Sequence, residues 1–426
     1  MAAPPPLRRD TALFRSVALL LFTAGWAANH FASMMGVLRH ELDLSALVVT
    51  GAYGLYALGL VPGLLGGGGL ADRLGPRPVV LTGALVAAGG NLLMSVWHPE
   101  AGVFVGRLVV GAGVGLAMSA GTAWAADLRG TAGATFAGIA LTAGFAVGPI
   151  VSGGLALLLG GGATITVPFV ATVLASLAAV SVAGVVASRS RGALTSTPVL
   201  HSPAAGDRGP AREDPGASGV EGASAGSGPG SVQPTIPERG VGRALLAALP
   251  MAMWVFSTAI VAFIITPSRL PVDEEYRAIM PGLAAGVGLS TGVLLQVIAR
   301  RRRWGAGSGV AGAIAAACGF ALIATGGSTP SWPMAVTAVF VLGTAYGLCL
   351  REGLTDVDRL APPHRRGIVI GIYYVATYLG FGLPVLLEAV HDTLGPSLPL
   401  YVLAVLAAAT AVIRIVHLTT TDHLRR

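Results

Sequence analysis

Ionisable side chains within long apolar segments are the first candidates for chemistry in this chain. His30, Arg107 and Glu352 are such residues, and ionisable groups at membrane depth are functional candidates because burying them is costly. An unperturbed imidazole titrates near about pH 6.5, so His30 can switch charge at physiological pH. A buried carboxyl group such as Glu352 can gain and lose a proton. These groups are therefore candidates for ion coupling.

Each candidate also has a purely structural interpretation. His30 can form a hydrogen bond between helices, and Arg107 can extend toward lipid headgroups. Glu352 can pair with Arg351 or remain solvated at an interface, although adjacent residues on a helix do not face each other. An arginine at membrane depth costs at least about 2.5 kcal/mol, which argues against a lipid-facing Arg107.

The composition indicates an integral membrane protein. Of 426 residues, 54% are hydrophobic and only 11% are charged, and the mean hydropathy is +0.74, whereas soluble proteins contain about 25% charged residues. All 27 basic residues are arginine, which excludes a phosphate-binding loop that needs lysine and therefore argues against ATP as a partner. Cys318 and Cys349 lie in apolar stretches, so we expect no disulfide framework, metal site or cofactor.

The elements that must position these residues are membrane-spanning helices of about 20 residues each. Twelve apolar segments are long enough, and they cover residues 12–37, 45–68, 78–97, 101–125, 131–159, 164–187, 243–266, 278–299, 305–326, 333–353, 367–390 and 396–418. The sequence therefore predicts an all-α membrane protein with the lipid bilayer as a partner.

A change in composition divides the chain. Residues 188–242 are rich in Gly, Ser, Ala and Pro, and such a segment buries too little apolar area to offset its ordering entropy. We expect a disordered cytoplasmic linker there, between an N-terminal six-helix bundle (residues 1–187) and a C-terminal one (residues 243–426).

The arginines predict the orientation in the cell membrane. If both termini are cytoplasmic, the outer side receives only Arg39, Arg269 and Arg277, Arg107 lies within a segment, and every other arginine falls on the inner side, as the positive-inside bias requires. The net charge of +7 is then a topology signal, and we expect no nucleic-acid partner.

The loop between the second and third segments resembles the cytoplasmic signature of the major facilitator superfamily. It reads GGLADRLGPR over residues 68–77. The resemblance implies two six-helix bundles and a conformational lock, with Asp127 as the expected acidic partner of the arginines. The candidate residues of this lock are Gly68, Asp72, Arg73, Gly75, Arg77 and Asp127. One departure is Pro76, where the family has a basic residue.

Motifs in the fourth and fifth segments extend the resemblance. Arg107-Leu-Val-Val-Gly-Ala-Gly is similar to a family motif that gives Arg107 a role in proton or conformational coupling. The fifth segment is similar to a motif of the antiporter branch, in which small residues allow close helix packing and a proline makes the helix pliant. Its candidate hinge residues are Gly144, Gly148, Pro149, Gly153 and Gly154.

An internal repeat supports the same family. Displacement by 232 residues aligns Gly111 and Gly115 with Gly343 and Gly347, as expected for two parallel bundles related by an axis along the membrane normal.

The resemblance implies a substrate cavity between the bundles, lined mainly by helices 1, 4, 7 and 10. Candidate lining residues are aromatic or neutral, and they suit a large, partly apolar solute better than a sugar or a phosphate ester. They are Trp26, Asn29, Tyr53, Tyr56, Trp124, Trp254, Tyr346, Tyr374 and Tyr378. Tyr374 and Tyr378 are one turn apart and share a helix face.

The sequence thus predicts a monomeric secondary transporter, not an enzyme, that exports a drug-like or metabolite small molecule in exchange for protons by alternating access. An uptake symporter or facilitator of the same superfamily is the alternative within this class. A transport-inactive membrane sensor or scaffold is the alternative of another class.

Overall fold

The computed structural model describes residues 9–195, 240–362 and 365–420, and twelve of its helices are long and apolar enough to cross a membrane. The predicted all-α, twelve-helix fold is confirmed. The helices, numbered α1 to α12, are Thr11–Leu42, Ala46–Leu74, Pro76–Val96, Glu100–Gly130, Ala132–Leu158, Gly162–Ser188, Val241–Ser268, Glu274–Arg301, Gly307–Gly326, Trp332–Leu360, Arg366–Ala389 and Leu398–Thr420.

Capping, and not hydropathy alone, sets the helix ends. Helix α1 runs past its apolar stretch to Leu42 and ends where Asp43 adopts a left-handed conformation with φ of 51°. Helix α2 begins after Ser45, whose side chain accepts a hydrogen bond from the backbone N–H of Val48 at 3.2 Å, as an N-cap residue does.

Several helices are interrupted at depth. Helix α1 is divided at His30, between Arg9–Asn29 and Phe31–Leu42. Helix α7 contains a π-helical segment, Val261–Ile265, and α11 tightens to a 3₁₀ turn at Leu379–Gly382. Such segments often mark functional positions in a helix.

The first residues of the predicted linker, 188–195, are helical. Helix α6, with its membrane-spanning part Gly162–Ser188, continues through Thr195, and the seventh helix begins at Val241. The remainder of the predicted linker, residues 196–239, lies outside the described residues.

Glycines set the closest helix contacts, and these contacts repeat between the halves. A Cβ atom on Gly111 of α4 would overlap the carbonyl oxygen of Tyr56 in α2, and one on Gly343 of α10 would overlap that of Gly288 in α8. Both members of the pair are displaced by 232 residues. The same displacement relates Gly115 with Leu60 to Gly347 with Gly292. The aligned glycines therefore mark equivalent helix crossings.

The two halves meet through α2 with α11 and through α5 with α8. A Cβ on Gly282 of α8 would lie 2.5 Å from the backbone nitrogen of Ile150 in α5, and one on Gly54 of α2 would lie 3.1 Å from the carbonyl oxygen of Phe381 in α11. Helix α1 begins and α12 ends on the side of the membrane where α8 ends at Arg301. We call this the arginine-rich side, because other arginines also lie at helix ends there. The contacts between the halves lie toward the opposite side.

Candidate functional site

A cavity of about 450 Å³ lies between the halves on the arginine-rich side. Helices α2, α4 and α5 line it from one half, and α7, α8, α10 and α11 line it from the other. None of the described lining residues is charged. Its polar groups are hydroxyls, among them those of Ser119, Thr122 and Thr142, and its walls are otherwise apolar or aromatic. The cavity therefore suits an uncharged or partly apolar solute.

An aromatic cluster closes the cavity at membrane depth. Phe256 is its centre, with ring centroids 4.8 Å from Tyr378, 5.0 Å from Phe381, 6.2 Å from Tyr346 and 6.4 Å from Phe145. The cluster draws residues from both halves, so a movement of one half against the other must rearrange it. Its phenylalanines were not among the predicted cavity residues, because a phenylalanine in an apolar segment gives no signal that separates a cavity wall from a lipid-facing surface.

The predicted cavity residues divide into two groups. Tyr346, Tyr374 and Tyr378 line the cavity, and the last two share a face as expected. Six others do not line it: Trp26, Asn29, Tyr53, Tyr56, Trp124 and Trp254.

Contacts within the bundles explain these placements. The indole N–H of Trp254 donates to the hydroxyl of Thr410 in α12 at 3.2 Å. The amide of Asn29 donates to the carbonyl oxygen of Phe145 at 2.8 Å and accepts from the Tyr53 hydroxyl at 3.2 Å. The side chain of Trp254 thus connects α7 with α12, and that of Asn29 connects α1 with α2 and α5.

His30 connects three helices of the N-terminal half. Its Nε2 lies 2.8 Å from Oδ1 of Asn91 in α3, and its Nδ1 lies 3.3 Å from the Ser152 hydroxyl in α5. Asn91 uses its amide nitrogen to donate to the Ala87 carbonyl oxygen, so its oxygen accepts from Nε2–H and Nδ1 accepts from Ser152. Both ring nitrogens are engaged inside the bundle, which matches the structural interpretation of this residue.

Arg107 is fully buried and does not extend to the headgroups. Its Nη1 donates to the carbonyl oxygen of Ala28 at 3.1 Å, and its Nε approaches that of Ala52 at 3.4 Å. The guanidinium carbon lies 4.6 Å from the ring centroids of both Phe31 and Tyr56, within the range of cation–π attraction.

Glu352 belongs to a buried charge cluster in the C-terminal half. Its Oε1 lies 2.9 Å from Nη2 of Arg414 in α12, whose Nη1 lies 2.7 Å from Oδ2 of Asp356. Its Oε2 accepts a hydrogen bond from Ser308 at 2.7 Å. Nη1 of Arg351 also lies 3.5 Å from Oε2. The expectation that adjacent residues on a helix do not pair is therefore wrong here, because the arginine side chain is long enough to bend back to its neighbour.

The predicted lock residues are separated in this structure. Asp72, Arg73 and Asp127 are exposed, and among the described residues Asp127 forms no ion pair with Arg73 or Arg77. Arg77 approaches the carbonyl oxygen of Gly184 at 3.4 Å instead. This arrangement accords with a cavity that lies on the arginine-rich side. Gly75, with φ of 85°, forms the turn, and Gly68 lines the cavity.

The α5 motif packs the helix on both neighbours. Gly144 and Gly148 approach the backbone of α1 near Trp26, and Gly153 approaches the carbonyl oxygen of Ala278 in α8. Helical dihedral angles continue through Pro149, and Gly154 faces open space. The motif therefore lies at the contact between the halves.

Two helical bundles around a neutral cavity define a multi-pass membrane transporter rather than an enzyme. Residues 17–384 match the family described as Major Facilitator Superfamily, and the chain belongs to this family. The match confirms the family resemblance, whereas the antiporter branch stays a prediction.

Solved structures share the fold. A POT family transporter in complex with 5-aminolevulinic acid superposes with a TM-score of 0.69 at 14% identity, over 97% of this chain and 97% of that chain. The xylose transporter XylE from E. coli, in an inward open conformation, gives 0.67 at 14% identity, over 95% of each chain. A D-xylose-proton symporter gives 0.65 at 12% identity, over 95% of this chain and 96% of that one. No curated protein matches the chain.

Proposed function

We propose that this protein is a proton-coupled exporter of a small molecule whose body is uncharged and partly apolar or aromatic. The observation that carries the proposal is the cavity of about 450 Å³, which has no charged residue among its described walls and an aromatic cluster at its inner end. A cavity of this volume is within the range of small-molecule sites. A sugar or a phosphate ester needs many hydrogen-bond donors or fixed cations, and these walls offer hydroxyls only.

Alternating access supplies the mechanism. In the state described here the halves are in contact through α5 with α8 and through α2 with α11, and the cavity lies on the other side of the aromatic cluster. Separation at these contacts, with closure of the cavity by residues such as Asp72 and Arg73, would present the bound solute to the opposite side. We take the arginine-rich side as cytoplasmic, so this is the loading state of an exporter.

The cluster of Glu352, Asp356 and Arg414 is the proposed proton site. Two carboxylates share one arginine in a space where Glu352 is 1% and Asp356 is 0% exposed. Protonation of either carboxylate removes an ion-pair partner from Arg414 and so changes how α10 holds α12. His30 remains a second candidate, although its ring already connects α1, α3 and α5.

Transport measurements test the proposal. In proteoliposomes with an imposed pH gradient, a panel of uncharged aromatic solutes should move outward as protons move inward, and a protonophore should abolish the movement. Glu352→Gln should retain solute exchange but lose the dependence on the gradient. Glu100→Gln is the matched control, because Glu100 is exposed at the start of α4 and lies outside the cluster and both cavities. Normal gradient dependence in both Glu352→Gln and His30→Ala would show that the coupling sites are wrong.

The same measurement separates the alternatives. Solute that moves with the protons would replace export by uptake symport. No movement across the panel in either direction would exclude the proposed transport of such solutes and favour a sensor.

A further inference from the structure

Arg107 is a buried cation without a counter-charge. Among the described residues, no carboxylate forms an ion pair with it, although it is 0% exposed. Buried charges in proteins are normally paired. The carbonyl oxygens of Ala28 and Ala52 and the aromatic faces around the guanidinium supply partial negative charge only.

Two buried hydrogen-bond donors lie in this region without a partner. They are Nη2 of Arg107 itself and the hydroxyl of Tyr56, and neither has a hydrogen-bond partner among the described residues. The guanidinium carbon lies 4.6 Å from the Tyr56 ring centroid, so both donors belong to one small region of the N-terminal half. Buried donors are nearly always satisfied, so these two are candidates to bind an acceptor from outside the described residues.

Phe381 of the other half covers this region. Its ring stacks on Tyr53 at 5.2 Å with an interplanar angle of 13° and lies 5.5 Å from Tyr56. Phe381 belongs to the 3₁₀ turn of α11, at the contact between the halves. If α11 withdraws from α2, Phe381 leaves with it and uncovers Tyr53 and Tyr56, the rings beside Arg107, on the side opposite the arginine-rich side.

A second cavity, of about 390 Å³, lies directly beyond this cover. Val49 of α2 and Pro384 of α11 line it, and each is about one helical turn from Tyr53 or Phe381. Its charged walls are mostly cationic: the ionised side chains are Arg39, Arg269, Arg277 and Glu388, with His391 beside them. An excess of cations attracts anions into a cleft. We call this cavity the outer vestibule.

We propose that Arg107 and Tyr56 bind an anionic group, a carboxylate, of the transported solute when Phe381 withdraws, and that the outer vestibule connects this site with the opposite side of the membrane. The inference rests on the proposed function and narrows its substrate class to amphiphilic organic acids. A planar carboxylate matches the donor geometry of a guanidinium, and the apolar body of the solute would contact the aromatic cluster.

Binding of benzoate to the purified full chain tests this proposal, with benzamide as its neutral counterpart of the same shape. Isothermal titration at constant ionic strength should show binding of benzoate and none of benzamide. Arg107→Gln should weaken benzoate binding by about ten- to a hundredfold, as expected for the loss of a hydrogen bond to a charged group. Arg107→Lys keeps the positive charge and should retain part of the affinity. It serves as the second variant if Arg107→Gln misfolds. Phe381→Ala should bind more tightly than the native chain, because the cover is removed.

Arg302→Gln is the matched control, because Arg302 is exposed and lines neither the outer vestibule nor the cavity on the arginine-rich side. Its benzoate affinity should stay within about twofold of the native value, as expected for a solvent-screened charge. Equal binding of benzoate and benzamide, or no binding of either, would overturn the proposal, and so would an equal loss in Arg302→Gln and Arg107→Gln. Transport of uncharged aromatic solutes without benzoate binding would refute this inference and leave the proposed function standing. Benzoate binding without transport of any solute would refute the proposed function alone.

Discussion

Replacing Arg414 by methionine is expected to destabilise the C-terminal half by about 3–5 kcal/mol, the usual cost of removing one partner from a buried ion pair. Asp356 is 0% and Arg414 is 4% exposed, so solvent screens their interaction little. Methionine preserves the apolar stem of the side chain, and the loss therefore measures the charge. For a half of this size, the free energy corresponds to a fall of about 6–20 °C in the midpoint of thermal unfolding.

A second substitution, added to the Arg414→Met variant, makes this prediction specific. Without Arg414, Glu352 keeps its hydrogen bond from Ser308 at 2.7 Å and its contact with Arg351 at 3.5 Å. Asp356 keeps no ion pair among the described residues. Asp356→Asn should therefore restore most of the stability lost in Arg414→Met, whereas Glu352→Gln should restore much less.

The assay is the loss of folded protein on heating, followed by intrinsic tryptophan fluorescence in detergent for the native chain, the single variants and both double variants. Equal rescue by the two amide substitutions would refute the reasoning, because it would mean that the carboxylates depend equally on Arg414. A loss below about 1 kcal/mol in Arg414→Met would also refute it, since such values are typical of solvated pairs.

Three further predictions concern packing and the cavity. Gly153→Ala should separate α5 from α8 and shift the protein away from the state described here, whereas a methyl group in Gly154→Ala meets open space and should not. The labelling rate of cysteines introduced into the cavity reports the state, and equal rates in the two variants would contradict the prediction. The new methyl group in Gly113→Ala would overlap the main chain of α3 and should lower the free energy of unfolding by about 1–3 kcal/mol. In Gly89→Ala the methyl group meets open space, so the change should be neutral or stabilise the protein by about 0.4–1 kcal/mol. Equal unfolding midpoints for the two variants would contradict this prediction. Phe256→Ala should lower the affinity for aromatic solutes about tenfold, since an aromatic pair contributes about 0.5–1.5 kcal/mol beyond its buried area; unchanged half-saturation in transport would argue that solutes bind elsewhere.

The helices were predictable because the bilayer fixes both their length and their apolarity. The close helix contacts were partly predictable too, because only glycine tolerates a carbonyl oxygen at the position of a Cβ atom. Gly111 and Gly343 therefore align in the sequence for the same physical reason that they match in space. Helix ends were less accurate, since caps such as Ser45 and Asp43 determine them.

The charge cluster was only half visible in the sequence. Glu352 stands out as an acid in an apolar segment, but its partner Arg414 lies 62 residues away and near the end of α12, where an arginine is typical of the membrane interface. Hydropathy does not tell which face of a helix a side chain occupies. For the same reason, Trp254 was expected in the cavity and Phe256 was not, although the two are neighbours on opposite faces of α7.

The halves share their packing but not their charges, and this difference separates the proposed roles. The displacement of 232 residues that relates the glycine contacts places Val339 opposite Arg107 and Val182 opposite Arg414. Neither charged residue thus has a counterpart in the other half. If the N-terminal half binds the anionic group and the C-terminal half binds the proton, neither site can influence the other within its own bundle. Coupling must then pass through the contacts between the halves. The ring of Phe381 belongs to one half and packs on Tyr53 and Tyr56 beside Arg107 in the other, so it is the most direct of these contacts.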